Sequence, residues 1–199
     1  MLTFAAAVFF LIITPGPGVL TTAGFGAAYG FRPSLAYVLG LFLGTNMVML
    51  SVMTGTAAVI LSVPWLRTIL MAGSVAYLLY LAARIAFAGA KIAFIPAKQP
   101  PGVLGGIALQ AINPKAYAVN TSLITGFSYA QDAFIFEMIT KALIMNAIWI
   151  PIHLAWLWAG VSLHRLNLSQ SAQRRINMLM ALSMLGVVAL AIWSARGTT

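Results

Sequence analysis

Long apolar runs separated by short polar or proline-containing breaks dominate this sequence. Six runs approach the roughly 20 residues that an α-helix needs to cross a bilayer. They cover residues 2–25, 35–61, 67–88, 103–126, 134–160 and 177–195. The breaks carry turn-forming and interfacial residue types: Gly30-Phe31-Arg32-Pro33, Ser62-Val63-Pro64-Trp65, 91–101, Tyr129-Ala130-Gln131-Asp132 and 165–177. The pattern predicts an all-α integral membrane protein with six transmembrane helices.

Composition favours the same interpretation. Of 199 residues, 62% are hydrophobic and only 7% are charged, whereas a soluble domain carries about 25% charged residues. The beginning of the chain, Met1-Leu2-Thr3, lacks the positive charge of a secretory leader, and no hydrophilic segment follows. We therefore expect no cleaved signal peptide and a single transmembrane domain over residues 1–199.

Several function classes are disfavoured. The sequence pI of about 10.5 raises nucleic acid as a partner, but the eleven Lys and Arg residues are scattered between apolar runs rather than gathered in a basic stripe. There is no cysteine, and there are only two acids and two histidines. The chain therefore has too few residues of the right types for a catalytic acid pair, a thiolate site or a His-rich metal motif. We expect that it is not an enzyme and that it has no cofactor or metal site.

The positive charges predict an orientation. The first, third and fifth connections hold seven of them: Arg32, Arg84, Lys91, Lys98, Arg165, Arg174 and Arg175. The opposite side holds Arg67 and Arg196. Since Lys and Arg concentrate in cytoplasmic connections, both termini are predicted to lie outside the cytoplasm.

Polar residues beside prolines recur about a hundred positions apart. Thr14-Pro15 lies in the first run and Asn113-Pro114 in the fourth, while Asn46 and Asn146 lie in the second and fifth. This predicts two halves of three helices each, approximately 1–99 and 100–199. Because three is odd, the second half is inverted in the membrane. Inverted repeats with interrupted helices at matching positions point to the central site of a secondary transporter.

The prolines also predict broken helices in the first and fourth runs. Proline lacks an N–H group and clashes with the carbonyl one turn back, and irregular backbone at membrane depth is tolerated where it is buried in protein or lines a watery cavity. Simple kinks are the alternative. We predict a substrate or translocation site near the midplane that comprises Thr14, Pro15, Gly16, Pro17, Asn46, Asn113, Pro114, Lys115 and Asn146.

Motifs along the whole chain resemble those of the LysE/RhtB family of amino-acid exporters. They are Thr14-Pro15-Gly16-Pro17, Gly30-Phe31-Arg32, the pair Gly40 and Gly44, Tyr77-Leu78-Leu79-Tyr80-Leu81, Asn113-Pro114-Lys115-Ala116 and Arg174-Arg175-Ile176-Asn177. The resemblance implies export of amino acids or closely related small metabolites across a bacterial cytoplasmic (inner) membrane, driven by the membrane potential or a proton gradient.

Two positions depart from the family pattern and bear on substrate identity and ion coupling. The family often has asparagine where this chain has Gly18. Many members carry an acidic residue just after the second glycine of the pair, where this chain has Thr45-Asn46.

Lys115 is predicted to lie near the middle of the fourth span. A lysine at that depth costs roughly 2.5–3.5 kcal/mol on insertion scales, so it should face the bundle interior or a cavity. Two roles are open: its amine holds a substrate carboxylate, or it bonds carbonyls freed by Pro15 or Pro114. Asn46 and Asn146 likewise contact substrate or bond to a neighbouring helix.

Three further residues are candidates for ion coupling. Glu137 and Lys141 have the spacing and order of a helical ion pair, which serves either structure or proton transfer. His153 is either a proton relay or a hydrogen-bonded anchor. Gly40 and Gly44 form a small-residue face that serves contacts within the chain or in a homodimer.

The expected partners are therefore lipid and a small-molecule substrate. Export of another small solute or of a divalent cation, a channel, and a non-transport membrane scaffold remain alternatives. Metal export is disfavoured by the scarcity of oxygen and nitrogen ligands.

Overall fold

A computed structural model of the chain describes residues 1–87, 99–130 and 132–165, together with residues 169, 171–172, 174–179, 181–182, 185–186 and 189. Throughout these residues the regular elements are α-helices, which confirms the all-α prediction. Up to residue 165 they are α1 (Leu2–Ile13), α2 (Pro17–Tyr29), α3 (Phe31–Met53), α4 (Thr56–Ser62), α5 (Pro64–Ala86), α6 (Gly102–Ile112), α7 (Pro114–Gly126) and α8 (Phe134–Arg165).

Among the residues that the structure describes, three helices are long and apolar enough to cross a membrane by themselves: α3, α5 and residues Phe134–Leu163 of α8. Helices α1 and α2 together form a fourth candidate span, bent by 52° at the break between them. The fourth predicted run forms α6 and α7, and the run predicted over 177–195 lies largely outside the described residues. The count of six spans thus stays a prediction.

Some predicted boundaries are wrong, for reasons that lie in glycine and proline. Gly30 alone separates α2 from α3, because its φ of +83° turns the chain and Pro33 fits the first turn of a helix. The second predicted span ends at Met53 instead of continuing to residue 61. There Gly55, at φ +75°, reverses the backbone before α4. Only Val63 lies between α4 and α5.

Both predicted proline breaks are present. The first leaves Thr14, Pro15 and Gly16 outside the helices, and α2 starts at Pro17. The second leaves only Asn113, in an extended conformation, before α7. A proline at the first helical position has no N–H group to leave unpaired and already has the right φ. Each break therefore ends one helix and starts another.

Glycines allow the closest helix approaches. Helix α3 packs against α6 so tightly that a Cβ at Gly40 would overlap the backbone carbonyl of Val103. A Cβ at Gly44 would lie 2.8 Å from Cβ of Gln110. The small-residue face predicted from these two glycines is confirmed as a contact within the chain. In the contact between α8 and α2, a Cβ at Gly160 would likewise overlap the Ala23 carbonyl.

Two clusters of buried apolar side chains lie towards opposite ends of the helices. One includes Phe4, Val8, Met49 and Met145. The other is centred on Phe25, Tyr37, Leu41, Leu81, Ile85 and Leu157. Along the chain, the two breaks and the neighbouring polar residues of α3 and α8 fall between these clusters. The packing thus places the polar segments about halfway along the helices, between the two apolar clusters.

Contacts at the helix ends show which ends share a side. Phe4 packs edge-to-face on Phe127, with ring centroids 5.7 Å apart, so the N-terminus lies beside the connection between α7 and α8. The hydroxyl of Tyr29 donates to the carbonyl of Arg84 at 3.3 Å, so the ends of α2 and α5 lie together. This agrees with alternating spans, and which side faces the cytoplasm stays a prediction.

A candidate substrate site at the two helix breaks

A cavity lies where the two breaks meet. Its empty volume is about 620 Å³, with the open solvent at its mouth included. Its polar lining residues come from four of the helices and from both breaks: Thr14, Thr45, Gln110, Asn113, Lys115, Asn120, Asn146 and His153. Gly16, Pro17 and Gly18 also line it. Most of the predicted site residues are therefore brought together.

Lys115 joins the two breaks across the cavity. It lies in the first turn of α7, and its Nζ donates to the carbonyl of Thr14 at 2.6 Å and lies 3.4 Å from that of Pro15. Of the two roles expected for this lysine, a bond to carbonyls freed by a proline is present in the structure. The amine also stays at the cavity wall, because the side chain is half-buried and Lys115 is among the lining residues.

The second break satisfies its own polar groups. The side-chain oxygen of Asn113 accepts from the Lys115 backbone N–H at 3.1 Å, which caps the start of α7. Its side-chain nitrogen donates to Oε1 of Gln110 at 2.9 Å, and the Gln110 amide donates in turn to the Thr45 hydroxyl. This chain of bonds holds α6, α7 and α3 together beside the cavity.

The first break has no such cap. The residue before α2 is Gly16, which has no side chain, and no side-chain group caps this helix. Gly18 and Val19 lie in the first turn, where N–H groups have no carbonyl one turn back to bond, and both line the cavity. The positive end of α2 therefore opens into the cavity, and such a helix end favours an anionic group.

His153 forms part of the wall opposite Gly18. Its ring stacks on Trp149 with centroids 3.6 Å apart, and its Nδ1 donates to the Trp149 carbonyl at 3.0 Å. The expected hydrogen-bonded anchor is thus present. The other ring nitrogen points to the start of α2, because a Cβ at Gly18 would lie 3.6 Å from Nε2. The side chain is only 4% exposed.

Asparagines form a second polar group at the cavity. Asn46 and Asn146 exchange two hydrogen bonds, at 3.1 and 2.8 Å, and so tie α3 to α8. The interhelical bond expected for them is present, and Asn146 also faces the cavity. Asn120 donates to the Ala116 carbonyl at 2.7 Å, while its buried Oδ1 has no hydrogen-bond partner in the structure.

Sequence reasoning missed Thr45, Gln110 and Asn120 as lining residues. A signal existed for Asn120, because an amide inside an apolar run is the same feature that singled out Asn46. Conversely, the predicted residues Pro15, Asn46 and Pro114 support the site without lining it: Pro15 and Asn46 bond to lining residues and Pro114 starts α7.

Glu137 and Lys141 lie outside the cavity lining. The carboxylate is 2.6 Å from the Lys141 amine, and both side chains are buried. Glu137 also accepts from the backbone N–H of Ala130 at 2.7 Å, and Lys141 donates to the carbonyl of Ile124 at 2.7 Å. Glu137 lies about 12 Å along α8 from Met145, at 1.5 Å per residue. The pair fastens the connection between α7 and α8.

We expect Glu137→Gln to lower the thermal stability of the purified protein. It leaves the buried Lys141 amine without its counter-charge, and breaking a buried pair costs about 3–5 kcal/mol. Melting of the wild type in detergent, of each single variant and of Glu137→Gln/Lys141→Met would measure this. The double variant should melt above Glu137→Gln, since it removes the stranded charge. Wild-type melting of Glu137→Gln would contradict the structural role.

Interrupted apolar helices around a cavity that contains a few polar side chains are typical of a multi-pass membrane protein that moves a small solute. A family model described as LysE type translocator matches residues 9–194. The chain therefore belongs to the LysE-type translocator family, as the sequence motifs predicted, and it is a transporter of small solutes and not an enzyme. No curated protein and no solved structure matches it.

Proposed function

We propose that the protein is a secondary active transporter that exports amino acids or closely related small metabolites across the cytoplasmic membrane of a bacterium. One observation carries the proposal: the Lys115 amine and the Thr14 carbonyl are bonded to each other at 2.6 Å beside the open end of α2. A donor and an acceptor of this kind, side by side in a cavity, match the two charged groups of an amino acid.

The binding step follows from this geometry. The substrate carboxylate accepts from the Lys115 amine and lies at the positive start of α2. Lys115 then leaves the Thr14 carbonyl, which would be an unpaired polar group inside the protein and thus unfavourable. The substrate ammonium donates to that carbonyl instead. A zwitterion therefore provides new partners for both the Lys115 amine and the Thr14 carbonyl. A simple anion or cation provides a partner for only one of these two groups.

Alternating access is proposed to use the two halves of the chain. Helices α1 and α2 pack along α8, and α6 and α7 pack along α3. Each broken segment thus lies against an unbroken helix of the other proposed half, which supports the inverted repeat. Rocking at these contacts would expose the cavity to one side of the membrane and then to the other.

Among the three coupling candidates, His153 is the one that lines the cavity. Glu137 and Lys141 are paired with each other near the beginning of α8, so we assign them a structural role and propose His153 as the proton-coupling group. We expect His153→Gln to keep downhill export and to lose most of its response to an imposed proton gradient. An unchanged gradient response in that variant would exclude His153.

The proposal is tested with purified protein in proteoliposomes loaded with a mixture of amino acids. Saturable release that responds to an imposed membrane potential or proton gradient, and that is missing from protein-free vesicles, is the expected result. Release that neither saturates nor responds to a gradient would indicate a channel. Absence of release for every amino acid, with folded protein in the vesicles, would overturn the proposal.

Two neighbouring glycines provide a matched prediction. Gly16 has extended backbone that any residue adopts, but a Cβ there would lie 2.6 Å from Cδ and 2.9 Å from Nζ of Lys115. Gly16→Ala should therefore push the amine off the Thr14 carbonyl and reduce the initial export rate about tenfold, or about 1.4 kcal/mol. In Gly18→Ala the new carbon has ordinary contact with His153 at 3.6 Å, so the rate should change less. Equal rates in both variants would contradict the role of Lys115.

A further inference from the structure

The rest of the cavity wall is apolar. Beyond the polar residues described above, the cavity is lined mainly by aliphatic, thioether and aromatic side chains: Leu11, Ile12, Met49, Val119, Met145 and Trp149. If the backbone-like groups of an amino acid bind at Lys115 and Thr14, its side chain must lie against this wall. A charged side chain would lose its hydration there without gaining a partner.

The positions of the charged residues also disfavour a positively charged substrate side chain. The whole sequence has two acidic residues, and the structure describes both. Asp132 is exposed in the connection before α8, and Glu137 is bonded to Lys141. Neither lines the cavity, and within the described part of the chain its lining contains one charged residue, Lys115. A second positive charge would therefore meet the Lys115 charge and find no carboxylate.

We infer that the transported amino acid has an uncharged, apolar side chain, and that basic amino acids and divalent cations are rejected. The inference rests on the proposed function, because it assigns the apolar wall to the side chain of the same substrate. The neutral amides on the wall, Asn120 and Asn146, can accept a hydrogen bond but cannot balance a full charge.

Norleucine and lysine distinguish an apolar from a positively charged substrate side chain. Both have a four-carbon side chain, and lysine adds a terminal ammonium. Proteoliposomes containing the full chain are loaded with each compound, and initial rates of release are compared. Norleucine is expected to leave at least about fifty times faster than lysine. Comparable rates would overturn the inference while the proposed amino-acid export stands. Failure of both, together with every other amino acid, would overturn the proposed function itself.

A gain of lysine transport provides a second test. Asn146→Asp places a carboxylate in the cavity wall, and Asn46 can still donate to it, so one bond of the pair survives. We expect lysine release to rise about tenfold and norleucine release to fall. Thr125→Asp is the matched control, since Thr125 is exposed near the end of α7 and does not line the cavity. An unchanged ratio of the two rates in folded Asn146→Asp, or an equal rise in both variants, would overturn the inference.

Discussion

Export by Lys115→Ala is expected to fall tenfold to a hundredfold or more relative to the wild type at equal amounts in the membrane. The variant loses the donor that joins the two breaks and that would hold the substrate carboxylate, and a hydrogen bond to a charged group is worth about 1.5–3 kcal/mol. Initial rates of amino-acid release from proteoliposomes would measure the loss.

Folding should survive this substitution. It removes a charge that costs roughly 2.5–3.5 kcal/mol to place in the membrane, and it leaves the Thr14 carbonyl unpaired at a cost of about 1–3 kcal/mol. The two effects largely offset each other, so the melting temperature should change little. Lys115→Met is the matched control, because it keeps most of the side-chain volume without the charge, and it should lose export to the same degree. Wild-type rates in either variant would remove Lys115 from the site.

Gly40→Ala is expected to destabilise the protein strongly. The added methyl group would overlap the backbone carbonyl of Val103, and backbone cannot rotate away as a flexible side chain can, so α3 and α6 must separate. Overpacking of an interior costs about 1–3 kcal/mol, and sometimes more. We expect a lower yield of folded protein and a lower melting temperature.

Gly73→Ala provides the comparison for that prediction. Gly73 lies in α5, and nothing lies within 4 Å of a Cβ built there. Alanine is favoured over glycine in a helix by about 1 kcal/mol, so this variant should melt at or slightly above the wild-type temperature. The two substitutions add the same methyl group and should act in opposite directions. Similar melting of both variants would show that the contact between α3 and α6 can relax.

The breaks were predictable from sequence because proline acts through its own covalent structure. A missing N–H group and a fixed φ favour the end of a helix, as at Pro15 and Pro114, although Pro151 lies inside α8. Gly55 was harder to interpret. Glycine permits a positive φ without requiring it, so a glycine in an apolar run does not reveal whether the chain turns there.

The site was only partly predictable. The sequence predicts that Lys115 lies at membrane depth and needs a polar partner. Whether that partner is a carbonyl or a substrate depends on a contact between residues about a hundred positions apart in the chain. That contact exists because the tight packing at Gly40 and at Gly160 brings the two broken segments together. Gln110 and Thr45 were missed for the same reason, since their bond joins α6 to α3.

The bond from Lys115 to Thr14 also has a consequence for the return half of a transport cycle. If the binding amine of a carrier has no partner in the absence of substrate, reorientation of the empty carrier is unfavourable. Such a carrier reorients only after it binds a second substrate molecule, and it then acts as an exchanger. Here the amine already has a hydrogen-bond acceptor while the cavity is empty, so reorientation without substrate does not leave the amine without a partner. We therefore expect net export into a medium that contains no amino acids, without a requirement for counter-transport.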